Sequence, residues 1–168
     1  MKLQSLIILI ACTIGGLNAQ SNTSGLPDLK PAGEIDLKTF AGTWYEISRL
    51  PNPVDSDLNN VTITYVRKKE NRLKETLKGD KIDRRTVKVR SNLTYEGEGR
   101  INGPMGGKYI LLAIDKKLQY CMMGTPDRKY LWILSRKKTM ENNTYNMLVS
   151  KANKLGFPIL QMQMNEFK

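Results

Sequence analysis

A chain of 168 residues that is 40% hydrophobic and 26% charged has the material for one folded domain with a sizeable core. It contains no histidine, which excludes Ser-His-Asp and Cys-His nucleophilic sites and any zinc site built on imidazole. Lys and Arg outnumber Asp and Glu by 27 to 16, a formal charge of +11 that favours anionic partners such as lipid surfaces or acidic glycans. The basic residues are spread along strands and turns, so no nucleic-acid site is expected.

Met1-Lys2 gives a short positive start, Leu3 to Leu17 is mostly apolar, and Leu17-Asn18-Ala19 ends in a small residue. This pattern predicts a secretory signal peptide over 1–19, cleaved after Ala19, and hence an exported, periplasmic or secreted chain. A rival pattern is Leu9-Ile10-Ala11-Cys12, which resembles a bacterial lipobox and predicts an outer-membrane lipoprotein lipidated at Cys12. Loss of the signal leaves Cys121 alone, so no internal disulfide is expected. Residues 20–33, small and polar with Pro27 and Pro31, read as an extended, mobile leader to a domain over 34–168.

From residue 42 onward the period is two. Residues 42–50 open with Gly-Thr-Trp-Tyr-Glu-Ile, and residues 60–67 place Val61, Ile63 and Tyr65 on one face. Leu73, Glu75 and Leu77 alternate in the next strand, which ends at Gly79-Asp80. Thr86 to Ser91 follows, then a turn at Ser91-Asn92 and a strand from Leu93 to Ile101 interrupted by Gly97 and Gly99. Residues 102–107 form the clearest turn, ahead of strands over 108–115, 118–123 and 130–136. Eight strands on short connections predict an all-β fold, an antiparallel up-and-down barrel. One helix is expected after it, N-capped at Thr139, with the apolar stripe Tyr145, Leu148, Ala152 and Leu155 and a stop at Gly156. It should pack outside the barrel, with 159–164 as a short closing strand.

Two stretches carry a resemblance to the lipocalin family. Gly42-Thr43-Trp44-Tyr45-Glu46-Ile47, preceded by residues 36–41, resembles its G-x-W signature with the short helix that plugs the barrel floor. Residues 126–136, ending Leu131-Trp132-Ile133-Leu134-Ser135-Arg136, are similar to the matching region of bacterial outer-membrane lipoprotein-type lipocalins, the branch nearest apolipoprotein D. The resemblance covers roughly 34–164 and departs at the middle motif, which here reads Ile114-Asp115-Lys116. Gly42, Trp44 and Arg136 are expected to be structural, with Arg136 lying across the Trp44 indole.

Extending the alternation gives an inward set of Val61, Ile63, Tyr65, Leu73, Leu77, Val87, Val89, Tyr109, Leu111, Ala113, Tyr120, Met122, Tyr130, Trp132 and Leu134. An eight-stranded barrel has room for packed side chains or one small ligand. The resemblance implies the second: binding, storage or transport of a small lipophilic ligand such as a fatty acid or lysophospholipid, without cofactor or catalysis. A carboxylate or phosphate head at the mouth would suit Arg49, Lys74, Lys88 or Arg90. Two other readings stand beside it: binding of anionic lipid or polysaccharide through the basic surface, and a cysteine-dependent isomerase. For the latter, alternation points Cys121 away from the cavity and no histidine can activate it. Asp80, Asp83, Glu96 and Glu98 form no metal constellation. Four Asn-x-Ser/Thr sequons, at Asn22, Asn60, Asn92 and Asn142, matter only in a eukaryotic source.

Overall fold

The computed structural model describes residues 25–167; the expected signal segment, Cys12 and the first residues of the leader lie outside the described residues. A four-residue helix, α1 (Leu37–Phe40), is N-capped by Asp36, whose side chain accepts from the Lys38 N–H at 2.9 Å. It leads into β1 (Gly42–Arg49), β2 (Asn59–Lys69), β3 (Arg72–Asp80), β4 (Thr86–Gly97), β5 (Arg100–Asn102), β6 (Lys108–Ile114), β7 (Tyr120–Gly124) and β8 (Leu131–Ser135). Each strand pairs antiparallel with the next, and β1 pairs with both β8 and β2, so the sheet closes into the expected eight-stranded barrel with no free edge.

Three expectations about elements are corrected. The turn at Ser91-Asn92 does not form: β4 runs unbroken from Thr86 to Gly97, nine of its residues paired with β3. The reversal comes at Gly97-Glu98-Gly99, all three at positive φ (91°, 50° and 77°), a conformation that glycine supplies at little cost. β5 is thereby cut to three residues. The outer helix, α2 (Asn142–Lys154), starts after Glu141 rather than Thr139 and stops at Gly156, φ +82°. The tail turns through residues 159–161, and only Gln163–Met164 form a strand, β9, which pairs with Ser48 and Arg49. The leader segment before α1 lies against the barrel, where the Ala32 N–H donates to the Leu111 carbonyl at 2.7 Å and Arg128 donates to Pro27.

The core has two parts. One fills the barrel interior and includes Phe40, Trp44, Val61, Ile63, Tyr65, Leu73, Leu93, Leu111 and Leu134. The other lies between the outer wall and α2 and includes Ile47, Leu112, Met122, Leu131, Ile133, Leu148, Ala152 and Phe157. Strands β6 to β8 are therefore apolar on both faces.

The floor is sealed by the expected pair. The Arg136 guanidinium carbon sits 3.8 Å above the Trp44 ring, and its nitrogens donate at 3.0 Å to the carbonyls of Thr39, Phe40, Ala41 and Thr43. Trp44 Nε1 donates to the Phe40 carbonyl at 3.0 Å, and the Phe40 ring stacks at 5.2 Å on both Trp44 and Tyr65. Gly42 is required twice over: its φ is +103°, and a Cβ there would lie 3.2 Å from Arg136 Nη1. Only a planar fork can reach several diverging carbonyls while stacking on an indole. Arg136→Lys is expected to destabilise the fold by about 2 kcal/mol, read as a lower urea midpoint at unchanged slope.

Candidate functional site

Above this floor the barrel encloses a cavity of about 380 Å³, in the lower part of the range for small-molecule sites. Its wall is built by Ile63 and Tyr65 of β2, Glu75 and Leu77 of β3, Val89, Arg90, Ser91 and Leu93 of β4, Tyr109 of β6, Met123 of β7, and Trp132 and Leu134 of β8. The β1–β2 loop contributes Asn52, Val54 and Asp55, and Pro104 comes from the β5–β6 turn, so the loops cover the end opposite α1. Tyr109 meets Trp132 edge-on with ring centroids 5.9 Å apart.

Of the expected lining, Ile63, Tyr65, Leu77, Val89, Tyr109, Trp132 and Leu134 reach the cavity. Val61, Leu73 and Leu111 are interior but packed into the solid part of the core, with Val87 against them. Tyr130 is half-buried just before β8, its ring 6.2 Å from that of Trp132, at the rim. Tyr120, Met122 and Ala113 face outward beneath α2 and line nothing. A β-bulge between Leu111 and Ala113 shifts the phase of β6, so that Leu111 pairs with Met123, Ala113 with Met122 and Ile114 with Cys121. Cys121 and Met123 consequently point into the barrel, the reverse of the expected orientation.

Inward placement does not make Cys121 reactive. The thiol is fully buried, and burial pushes it far above the ordinary range against the opposing charge of Arg136. It should resist a neutral-pH disulfide reagent in the native protein and react at once in denaturant; rapid native labelling would contradict the burial.

A buried charge network was missed by the alternation argument. Glu46, Arg49 and Asp55 are 0%, 3% and 1% exposed. Arg49 Nη1 donates to Glu46 Oε1 at 2.7 Å, Arg49 Nε lies 3.3 Å from Asp55 Oδ1, and Nη2 donates to the carbonyls of Ser56 (3.1 Å) and Leu58 (2.9 Å). Asp55 also accepts from Asn52 and, at 3.3 Å, from Trp132 Nε1. The network ties the β1–β2 loop to the wall over the cavity. Arg49, once a candidate for a ligand head group, is consumed by it. Lys74 and Lys88 are not part of the wall, which leaves Arg90 as the cation that reaches it. The signal available in the sequence was Glu46 in the middle of an otherwise apolar strand start.

Two carboxyls share one guanidinium here. Burial pushes Glu46 up to about 8, with the Asp55 charge adding and Arg49 opposing. Asp55 is raised by burial against the pull of Arg49. Near neutrality Glu46 therefore holds a proton in the folded state that it releases in the unfolded state near 4.5. An acid with a raised folded pKa contributes stability below its unfolded value and loses it as pH climbs through the folded one. Glu46→Gln, which mimics the protonated form, should leave stability near pH 4 unchanged. It should gain on the wild type from about pH 5 to 8, by a few kcal/mol at most, read from paired denaturation curves.

A family model described as a lipocalin-like domain matches residues 35–166. The outer membrane lipoprotein Blc of Citrobacter freundii is 30% identical over 133 residues, covering 74% of this chain and 75% of that protein. Temperature-induced lipocalin-1 of Arabidopsis thaliana is 31% identical over 147 residues, covering 76% and 77%. The solved structure of insecticyanin from Manduca sexta superposes with a TM-score of 0.68 at 20% identity, covering 85% of this chain and 86% of that one; the likeness is one of fold.

Proposed function

Because the chain belongs to the lipocalin family, whose members generally bind and transport small hydrophobic ligands, we propose that it binds, stores or carries a small lipophilic molecule, of acyl-chain size, inside the barrel. The observation that carries this reading is the unfilled space itself: a cavity of about 380 Å³ walled by Ile63, Leu77, Leu93, Met123, Trp132 and Leu134. Each methylene moved from water into such a site contributes about 0.8 kcal/mol, enough over a long chain to exceed the several kcal/mol that association costs. A fatty acid or lysophospholipid fits with its chain inside and its charged head at the mouth, where Arg90 is the nearest lining cation.

Export belongs to the same reading. The curated relatives include proteins named as outer membrane lipoproteins, and residues 1–19 have the pattern of a secretory signal. Cleavage after Ala19 yields an unanchored periplasmic or secreted carrier; lipidation at Cys12 yields a membrane-bound one. The intact mass of the mature chain decides between them.

The exposed basic charge supports a second role, contact with an anionic membrane surface or polysaccharide. Lys68, Lys69 and Arg72 cluster at the β2–β3 turn, and Lys81, Arg84 and Arg85 at the β3–β4 turn. Such binding would fall steeply with salt, whereas the cavity's would not.

Native mass spectrometry of the mature protein from its own host tests the main reading. A retained mass of a few hundred daltons that organic extraction removes is the expected result, with Trp132 fluorescence changing when an apolar ligand is restored. A protein that arrives empty and takes up no apolar probe would overturn it.

A further inference from the structure

The cavity wall does not share the positive charge of the exterior. The chain as a whole is +11, yet the cavity wall carries two carboxyls, Asp55 and Glu75, and a single cation, Arg90. Asp55 is engaged by Arg49, Asn52 and Trp132. Glu75 is different. It lies on the inward face of β3 between Leu73 and Leu77, level with Tyr65 on β2 and Ser91 on β4. The Tyr65 hydroxyl beside it opposes the rise of its carboxyl pKa, and Glu75 enters no ion pair among the described residues. Burial pushes its carboxyl up and the nearby Asp55 charge adds to the effect.

An ionised carboxylate offers about four acceptor positions, and among the described residues no cation engages those of Glu75. What Glu75 lacks is donors and positive charge. A carboxylate or phosphate brought beside it would meet Glu75 and Asp55 in a poorly solvated space, where the buried cation, Arg49, is already engaged by Glu46 and Asp55. A primary ammonium would supply the missing charge, and a hydroxyl would supply a donor. The rings of Tyr109 and Trp132 in the same wall offer a cation their π faces.

We propose that Glu75 is the polar anchor of the cavity, and that the ligand it selects is an apolar chain or ring ending in a hydrogen-bond donor, a primary amine or an alcohol, rather than in a carboxylate or phosphate. This rests on the cavity reading above: it keeps the apolar cargo and sets a donor head group in place of the fatty-acid or lysophospholipid one. It also reverses the head-group chemistry that the net charge alone suggests, because the surface cations attract anions to the exterior while the interior rejects them.

The test is a competition at neutral pH between an amine, an alcohol and a carboxylate of equal straight alkyl chain, each displacing an environment-sensitive apolar fluorophore. The expected order is amine, alcohol, carboxylate, with the amine effective at a concentration at least about tenfold below the carboxylate, the size of one charge-assisted hydrogen bond. The positive exterior acts against this order, so a preference for the amine must arise inside. In Glu75→Gln, with each competitor scaled to that variant's own affinity for the fluorophore, the amine should lose its advantage over the alcohol and the carboxylate. Displacement led by the carboxylate in the wild type, or an amine advantage that survives in the variant, would remove the role of Glu75 and leave the cavity reading intact. If the wild type binds neither the fluorophore nor any of the three competitors, both readings fall together. The wild-type ranking stands without the variant, should the substitution impair folding.

Discussion

A barrel needs one closed end before it can hold anything, and here a single guanidinium closes it. Arg136 stacks on Trp44 and draws four carbonyls of the α1 region toward itself. Those carbonyls belong to residues 39–43, where the chain leaves α1 and enters β1. The contact therefore joins the first strand to the end of the last one, and fixes both the plug and the register at which β1 and β8 meet. Phe40, Trp44 and Tyr65 can then stack as a solid floor, and the empty volume is confined to the upper part of the barrel.

The other end is organised by a desolvated ion network rather than by packing. Glu46, Arg49 and Asp55 balance only if one acid is neutral, and burial makes Glu46 that acid. Replacing such a network with apolar residues often costs nothing in stability. What it provides here is position: Asp55 holds the β1–β2 loop against Trp132 and over the cavity. Glu75 then stands in the cavity wall as the carboxyl outside this network.

Much of this was legible in the sequence. The eight strands, the closing helix, the Trp44–Arg136 pair and about half of the lining follow from period-two alternation and two motifs. The failures have physical causes. Alternation reports a face only where one side of a strand meets water; β6, β7 and β8 are covered outside by α2, so runs such as Cys121-Met122-Met123 are apolar on both faces and their phase is silent. The bulge at Leu111/Ala113 then reverses the count without leaving a glycine or proline to mark it. At Ser91-Asn92, residues with turn propensity sit inside a long strand because nine pairings with β3 outweigh local preference. Glu75 shares the spacing of Leu73 and Leu77 and with it their inward face, although the expected inward set named only the two leucines of that strand.

The tail gives the topology a consequence in time. The Asn165 N–H donates to the Ile47 carbonyl at 3.0 Å, its side-chain oxygen accepts from the Val61 N–H at 3.4 Å, and the Glu166 carbonyl accepts from the Asn60 N–H at 3.0 Å. The last residues thus clip together β1 and β2, elements made at the start of the domain. β1 can find β2 early in folding, but its other neighbour, β8, and this clip lie far along the chain from it. A barrel wired in this way has a late closing step: its sheet can grow from hairpin to hairpin, and it becomes a container only when β8 meets β1.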